Sequence, residues 1–213
     1  MDEITANLRQ NCSPELNEAN AASDPFKQFR LWFEQALEAD LYEPTAMTLA
    51  TVSAEGVPSA RMVLLKDMDR RGFVFYTNYQ SKKGQELDRT PWATLVLWWD
   101  KLKRQVRIEG SVEKIAAEES DEYFKSRPRN YQLAAWASPQ SQVISGRNVL
   151  ENKLQEWMKQ FEDKEVPRPP FWGGYRVNPT QIEFWQGRPN RLHDRLRYRK
   201  SKNGRWLLER LSP

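Results

Sequence analysis

The chain contains a single histidine, and two arginines flank it in the segment EFWQGRPNRLHDR, residues 183 to 195. In an extended strand, side chains two residues apart share a face. We therefore expect Arg191, His193 and Arg195 to project to one side of a strand, with Trp185 close to them. Two permanent cations around one imidazole repel each other unless an anion lies between them. The segment thus predicts a site for an anionic ligand.

A second segment, FYTNYQSKKG, combines hydroxyl groups with amines at the end of a predicted strand. Tyr76 and Thr77 supply the hydroxyls, and Lys82 and Lys83 supply the amines just before a predicted helix. This combination favours phosphate, because a helix N-terminus adds backbone donors to the charge of the lysines. An ordinary charged turn has the same composition, and the Walker spacing of a P-loop is absent.

Two shorter motifs offer further polar contacts. In EYFKSR, Tyr123 and Arg127 are four residues apart on one helix face, where they can bind a second anion or pair with each other. In WASPQS, Gln140 and Ser141 can hydrogen-bond the polar edge of a ring or simply cap a loop. Taken together, the four segments predict a flat phosphorylated cofactor beside a small phosphorylated substrate.

The predicted strand SARMVLLKD presents two different faces. Alternation places Arg61, Val63 and Leu65 on one face, and Met62, Leu64 and Lys66 on the other. A solvated surface is the ordinary interpretation of an isolated arginine or lysine in a strand.

The sequence shows no convincing Ser-His-Asp set, Cys-His pair or glycine-rich dinucleotide motif.

The composition is typical of one globular unit with a sizeable core: 213 residues, 39% of them hydrophobic, with nine tryptophans. The net charge is +4, from 33 basic and 29 acidic residues. This mild excess allows an anionic small molecule, whereas a nucleic-acid-binding arm would need its basic residues in one block. We expect no nucleic-acid partner; the opposite interpretation predicts DNA affinity that falls steeply with salt.

The single cysteine, Cys12, excludes a disulfide within the chain and favours the reducing cytoplasm. Without a cluster of histidine and cysteine, a zinc site is not expected. The first residues, MDEITANLRQNC, lack the apolar core of a signal peptide, and no apolar run approaches the roughly 18 residues that span a bilayer. We therefore expect a cytoplasmic protein without a membrane partner.

The residue pattern predicts a mainly β protein with flanking helices (α+β). Residues 1–23 are polar and are expected to form a mobile arm. Asp24 caps an amphipathic helix that begins at Pro25 and ends near Ala39. The first strands are expected at 46–52, 58–66, 72–78, 92–100 and 103–116, and such a set of antiparallel strands with tight links indicates a small barrel. Helices at 116–127 and 147–163 then precede strands at 175–178, 181–186, 192–199 and 206–211.

Eight segments occur in an order that resembles a known family: RMVLLK, FYTNYQSKKG, RQVRIEG, YFKSRPR, WASPQS, FWGGYRV, IEFWQG and RLHDR. The family is pyridoxine/pyridoxamine 5'-phosphate oxidase, and the likeness runs from about Asp24 to Pro213. The resemblance implies an FMN-binding split β-barrel that forms a homodimer with two FMN sites at its interface. It assigns residues 24–170 to the FMN-binding core with its helices, and residues 171–213 to C-terminal dimerisation strands of the same globular unit.

The same resemblance assigns roles to individual residues. Those expected to contact FMN are Arg61, Met62, Val63, Leu64, Leu65, Lys66, Tyr76, Thr77, Lys82, Lys83, Gln105, Gln140, Ser141, Trp185 and Arg195. Those expected to bind the substrate are Lys66, Tyr123, Arg127, Tyr131, Arg191, Leu192, His193 and, near the N-terminus, Arg9. Of these, Arg191 and His193 lie over the substrate ring and are the expected catalytic residues.

The resemblance also implies the reaction. A hydride leaves the C4' carbon of pyridoxamine or pyridoxine 5'-phosphate for N5 of FMN, and dioxygen reoxidises the flavin to give hydrogen peroxide. The alcohol yields pyridoxal 5'-phosphate directly, and the amine yields an imine that water hydrolyses. The protein's part is to supply position and electrostatics.

Three positions depart from the family pattern. Tyr131 stands where a small hydroxyl is usual, and Lys82 replaces a frequent arginine, so the bidentate fork is lost. The segment RQNC, residues 9–12, stands where an Arg-x-Glu-Tyr lid is common. The altered lid leaves open a flavin- or pyridoxal-phosphate-binding carrier without turnover. A split-barrel flavin reductase with a nicotinamide or deazaflavin donor is the other alternative, and the intact RLHDR and YFKSR motifs count against it.

Overall fold

The structure is a computed structural model that describes residues 15–213. Within this range the helices are α1 (Pro25–Glu38), α2 (Lys82–Arg89), α3 (Ala117–Ser126), α4 (Arg129–Ala137) and α5 (Arg147–Gln160). The strands are β1 (Ala46–Val52), β2 (Pro58–Leu64), β3 (Asp67–Asp69), β4 (Gly72–Asn78), β5 (Trp92–Trp99), β6 (Arg104–Lys114), β7 (Trp172–Gln186), β8 (Asp194–Lys200) and β9 (Trp206–Arg210). None of these helices is long and apolar enough to cross a bilayer.

The predicted mainly β architecture with flanking helices is confirmed, and β1 and β4 have the predicted bounds. β2 ends at Leu64, two residues early, because the chain then turns into the short strand β3, which the sequence pattern misses. The pattern also misses α4, which begins directly after Pro128. Consequently Tyr131 lies on a helix rather than in a loop.

One continuous strand, β7, replaces the two strands expected at 175–178 and 181–186. Pro179 suggests a break, because proline has no backbone N–H to donate to a ladder. β7 instead passes Pro179 through a register shift opposite Glu109 and Gly110, which is a β-bulge. The strand therefore runs for 15 residues and connects distant parts of the molecule.

The described strands form a single antiparallel sheet. Its order is β2-β1-β5-β6-β7-β4-β3, with β8 paired to β7 and β9 paired to β8. Directly after β2 the chain reaches β4 near the other end of this order, where the amide of Lys66 donates to the carbonyl of Val74 at 2.9 Å. The sheet thus curls into a barrel, as the sequence predicts.

Alternation along the strands fills the barrel with apolar side chains, and α1 packs against this core. Asp24 caps α1 by accepting hydrogen bonds from the amides of Phe26 and Lys27. The ring of Phe29, which is fully buried, lies 4.9 Å from the ring of Phe73 and 6.1 Å from that of Trp99. Burial of such large rings is the main favourable term in the stability of the fold.

Residues 15–23 belong to the segment predicted to be a mobile arm, and they contact the barrel. Leu16 is buried in the main core. Glu18 accepts two hydrogen bonds from Arg210 on β9, each at 2.8 Å, and Tyr198 on β8 donates to the carbonyl of Ala22. This part of the predicted arm is therefore anchored to the C-terminal strands.

The packing of α1 predicts a large effect of one substitution. Phe29→Ala removes a fully buried ring, so we expect the free energy of unfolding to fall by about 3–5 kcal/mol. Leu31→Ala, on the exposed side of the same helix, should change it by less than about 0.5 kcal/mol. Urea denaturation monitored by tryptophan fluorescence measures both; equal effects would contradict the assigned packing.

Candidate functional site

A cavity of about 320 Å³ opens where β2, β4 and the start of β7 approach the end of α3. The side chains around it come from segments that are distant in sequence. They are Met62, Val63, Leu64, Lys66, Tyr76, Thr77, Lys83, Tyr123, Arg127, Gln140 and Trp172. The structure therefore brings two of the three predicted anion-binding segments, FYTNYQSKKG and EYFKSR, to one cavity, whereas no residue of the third segment, 183–195, lines it.

Lys83 is the buried cation of this cavity, with 8% of its surface exposed. Its ammonium donates to Oε1 of Gln140 at 2.9 Å and to the hydroxyls of Thr77 at 3.3 Å and Ser81 at 3.4 Å. All three acceptors are neutral, and no carboxylate in residues 15–213 forms an ion pair with it. Burial, with a smaller contribution from nearby Arg61, lowers the pKa of Lys83 to about 8. The carboxylate of Glu86 opposes this lowering of the pKa, but the site holds a positive charge without an ion-pair partner among the described residues.

The two neighbouring cations, Arg61 and Lys82, share one carboxylate as their ion-pair partner. Glu86 is buried, and it accepts hydrogen bonds from Lys82, Arg61, Thr51 and Ser59. Burial alone would raise the pKa of Glu86, but these donors outweigh it and lower the pKa to about 2. Neither Arg61 nor Lys82 lines the cavity directly, although both lie next to the N-terminal end of α2.

Stacked aromatic rings form one wall of the cavity. The ring of Tyr76 lies 3.9 Å from that of Tyr123 and 5.4 Å from that of Trp172, with nearly parallel planes. The guanidinium of Arg127 lies over the Trp172 ring at 4.6 Å. Its Nη1 atom is buried and has no hydrogen-bond partner among the described residues. An orphaned guanidinium nitrogen beside a cavity indicates an anionic ligand.

A second group of predicted site residues lies in one row across the sheet. Gln105 on β6 is directly opposite Trp185 on β7, which is directly opposite Arg195 on β8. Directly opposed residues share a face, so these three side chains lie on the same outer face of the barrel. The rings of Trp98 and His193 lie 5.9 Å and 4.5 Å from the ring of Trp185.

The expectation that Arg191, His193 and Arg195 share one strand face is wrong. β8 begins at Asp194, and residues 189–191 form a 3₁₀ turn. Asn190 and Arg191 have φ of +57° and +63°, a left-handed conformation that non-glycine residues rarely adopt. The turn is held by the amide of Arg188, which donates to Nδ1 of His193 at 3.1 Å. Backbone strain of this kind concentrates at functional sites.

The remaining predicted contacts have mixed positions. Leu65 points into the core, and Leu192 is exposed on the surface. Tyr131 is mostly exposed but lies near enough to Arg127 to interact with it electrostatically. Ser141 has a left-handed backbone, with φ of +70°, directly after the cavity residue Gln140. Arg9 and the lid segment, residues 9–12, lie outside the described residues.

Sequence reasoning misses three residues that shape these two groups. Trp172 forms part of the aromatic wall. The glycines that follow it in the motif FWGG mark a closely packed segment, since a side chain at Gly173 would collide with Tyr79. Glu86 follows Lys82 by four residues, a spacing typical of an ion pair on a helix. Glu183, which is buried beside Arg195, alternates with apolar residues and therefore gives the pattern of a solvent-facing position.

The two groups of site residues lie at opposite ends of β7. Trp172 borders the cavity at the start of β7, and Trp185 lies thirteen residues later near its end. That length corresponds to about 43 Å of extended strand. Within residues 15–213, no hydrogen bond or ring contact joins the cavity to the row of Gln105, Trp185 and Arg195.

Comparisons with known proteins agree with this architecture. The sequence profile described as "Pyridoxamine 5'-phosphate oxidase" matches residues 33–161, and "Pyridoxine 5'-phosphate oxidase C-terminal dimerisation region" matches residues 172–213. The pyridoxine/pyridoxamine 5'-phosphate oxidase of Gloeothece citriformis is 63% identical over the full length of both chains. The enzyme of the same name from Synechocystis sp. is 57% identical, again over the full length of both.

Two solved structures resemble the fold. PhzG from Burkholderia lata, solved with tetrahydrophenazine-1-carboxylic acid, superposes with a TM-score of 0.88 at 32% identity, covering 96% of this chain and 99% of that one. An FMN binding protein from Nostoc punctiforme, described as related to pyridoxamine 5'-phosphate oxidase, superposes with a TM-score of 0.71 at 16% identity. This superposition covers 90% of this chain and 100% of that one, and at such low identity it supports the fold alone.

The curled antiparallel sheet and its cavity define the class: a split β-barrel protein with a basic, aromatic-walled site. Within that class, the profiles and the full-length relatives determine the family. The chain belongs to the pyridoxine/pyridoxamine 5'-phosphate oxidase family of oxidoreductases.

The uncompensated charge of Lys83 predicts a pH dependence of stability. Its pKa is about 8 in the folded chain, against an ordinary value of 10.5, so the folded state releases this proton first as pH rises. Between pH 8 and 9.5 the unfolded state then holds more protons, and the free energy of unfolding should rise by about 2 kcal/mol. Urea titrations of ligand-stripped protein measure this rise.

Lys83→Met is the matched variant, because it keeps the length of the side chain and removes the titrating amine. Its free energy of unfolding should be higher near pH 7 and should lack the rise between pH 8 and 9.5. The same pH profile in both proteins would show that a different group titrates.

Proposed function

We propose that the protein catalyses the FMN-dependent oxidation of pyridoxamine 5'-phosphate or pyridoxine 5'-phosphate by dioxygen, to pyridoxal 5'-phosphate and hydrogen peroxide. The observation that carries this proposal is the presence of two uncompensated cationic groups in one cavity, the Lys83 ammonium and Nη1 of Arg127. Buried charge is costly unless it is paired. Two phosphates, one from a cofactor and one from a substrate, balance both groups.

The residues around Lys83 suit the phosphate and ribityl chain of FMN. Lys83 supplies the charge, and the N-terminal end of α2 supplies backbone donors. Thr77 and Gln140, already hydrogen-bonded to each other at 3.1 Å, supply a hydroxyl and an amide for the ribityl chain. When bound there, FMN supplies the hydride acceptor and passes the electrons to dioxygen.

The residues around Arg127 suit the substrate phosphate. Lys66, Tyr123 and Arg127 border the same cavity, and the orphaned Nη1 of Arg127 is the donor that a phosphate oxygen satisfies. Tyr131 interacts electrostatically with Arg127, and we propose its phenol as a further donor to this phosphate. In this arrangement the phosphate fixes the substrate, so that its C4' carbon is held in one position relative to the flavin.

Arg191 and His193 are proposed to contact the substrate ring from the strained turn. Because Nδ1 of His193 accepts the amide hydrogen of Arg188, a neutral imidazole carries its proton on Nε2. Nε2 is then a hydrogen-bond donor for the ligand. Arg191 supplies a permanent positive charge beside the reacting carbon, and Arg195 faces the flavin.

A homodimer is proposed to unite the two separated groups. The outer face of the barrel exposes large apolar side chains, among them Met62 and Trp98, which are 61% and 54% exposed. Such patches mark protein interfaces. The family profile of a dimerisation region covers residues 172–213, which carry Trp185, Arg191 and His193. A second copy that brings these residues to the cavity of the first completes each site.

The direct test is catalysis by the purified, FMN-loaded protein. We expect flavin absorption bands and release of hydrogen peroxide with pyridoxamine or pyridoxine 5'-phosphate. Arg191→Ala should keep the flavin spectrum and lose most of the peroxide release, since this residue touches substrate rather than cofactor. Arg205→Ala, in the exposed turn between β8 and β9, is the control and should behave as the wild type.

The outcomes separate the alternatives. Tight ligand binding without peroxide would favour a carrier, and substrate-independent oxidation of NADPH would favour a flavin reductase. A colourless protein that takes up no FMN would overturn the proposed function.

A further inference from the structure

Arg195 is held by two acceptors that fix the plane of its guanidinium. Nε donates to Oε1 of Glu183 at 2.8 Å, and Nη1 donates to the carbonyl of Ser212 at 2.8 Å. Among the described residues, no acceptor engages Nη2. Because the guanidinium is planar and rigid, two fixed nitrogens determine where the third one points.

Glu183 is an unusual residue for the outer face of a barrel. Its side chain is only 4% exposed, yet it lies on the same strand face as Trp185, two residues further along β7. Its second carboxylate oxygen, Oε2, is buried without a hydrogen-bond partner, and it forms only a long ion pair with Arg107 at 3.6 Å. A buried, incompletely satisfied carboxylate is costly and calls for a specific reason.

We infer that Glu183 is a positioning residue, which orients Arg195 so that its Nη2 edge meets the bound flavin. The inference rests on the proposed function, in which Arg195 contacts FMN. The charge of Glu183 strengthens the Nε hydrogen bond, since hydrogen bonds to ionised acceptors are about twice as strong as neutral ones. Burial protects this bond from water, so that Arg195 stays in one orientation before the cofactor binds.

A neighbouring carboxylate offers a matched comparison. Glu209 on β9 also joins two arginines of β8, with Arg197 at 2.6 Å and Arg199 at 2.8 Å. Its side chain is 30% exposed, and neither of its arginines is a predicted cofactor contact. Glu209→Gln therefore removes the same kind of ion pair without changing the proposed flavin site.

The test is a double-mutant cycle on the FMN affinity of the full chain. Apoprotein is titrated into FMN, and the quenching of flavin fluorescence gives the dissociation constant. Glu183→Gln keeps the shape of the side chain and removes its charge. It should weaken FMN binding by about 10-fold when Arg195 is present and by less than about 2-fold in the Arg195→Ala background. Glu209→Gln should leave the affinity within about 2-fold of the wild type.

Each result has a defined meaning. An equal loss in both backgrounds, or no loss beside Arg195, would show that Glu183 acts only in folding or not at all. If Arg195→Ala itself leaves the FMN affinity unchanged, the proposed flavin contact fails, and the role of Glu183 fails with it. If Arg195→Ala weakens binding while Glu183→Gln does not, only the role of Glu183 is refuted.

A second variant covers the case in which Glu183→Gln does not fold, as judged by far-UV circular dichroism. Arg195→Lys keeps the charge but replaces the rigid fork with a single ammonium on a flexible chain, which is not oriented by Glu183 and Ser212 together. Its FMN affinity should fall by about as much as in Glu183→Gln. Wild-type affinity in Arg195→Lys would overturn the inference, because charge alone would then suffice.

Discussion

A buried positive charge without a counter-ion is the constraint on which the site depends. The Lys83 ammonium donates hydrogen bonds only to neutral oxygens, and the buried Nη1 of Arg127 has no acceptor among the described residues. Neighbouring Arg61 shows the contrast, because Glu86 neutralises it within the chain. The fold thus gives Arg61 and Lys82 an ion-pair partner in Glu86, whereas Lys83 and Arg127, which face the cavity, have none among the described residues. In the proposed function a ligand phosphate would supply the missing charge, and its binding energy would offset the cost of burying these groups.

The barrel holds the predicted site residues in place. Residues at alternate strand positions are buried in the core, and this burial fixes the register between neighbouring strands. The register in turn places Gln105, Trp185 and Arg195 in one row on the outer face. Along β7, about 43 Å of extended backbone lies between Trp172 at the cavity and Trp185 in that row. In the proposed homodimer, the two-fold assembly would bring this row of one protomer to the cavity of the other.

Much of this architecture can be predicted from sequence, and the failures have physical causes. The bounds of β1 follow from alternation, and those of β4 follow from a run of apolar β-forming residues, each between turn signals. The continuity of β7 cannot be predicted, because a bulge lets the strand pass Pro179. The left-handed residues of the turn, Asn190 and Arg191, are not glycines, so the sequence gives no sign of the turn and the segment has the pattern of a strand. The sequence motifs predict that Lys83 and Arg127 bind anions. Which cations lack an ion-pair partner cannot be predicted, because it depends on tertiary contacts such as those of Glu86.

The central claim is that each site takes its phosphate-binding residues from one protomer and its Arg191 turn from the other. Co-expression of two differently tagged, individually inactive variants, Arg127→Ala and Arg191→Ala, tests it directly. In a hybrid dimer one site collects both substitutions and the other collects neither, so a random mixture should recover about one quarter of the wild-type peroxide release. Hybrid dimers without activity would show that both groups act within one protomer, and would contradict the account.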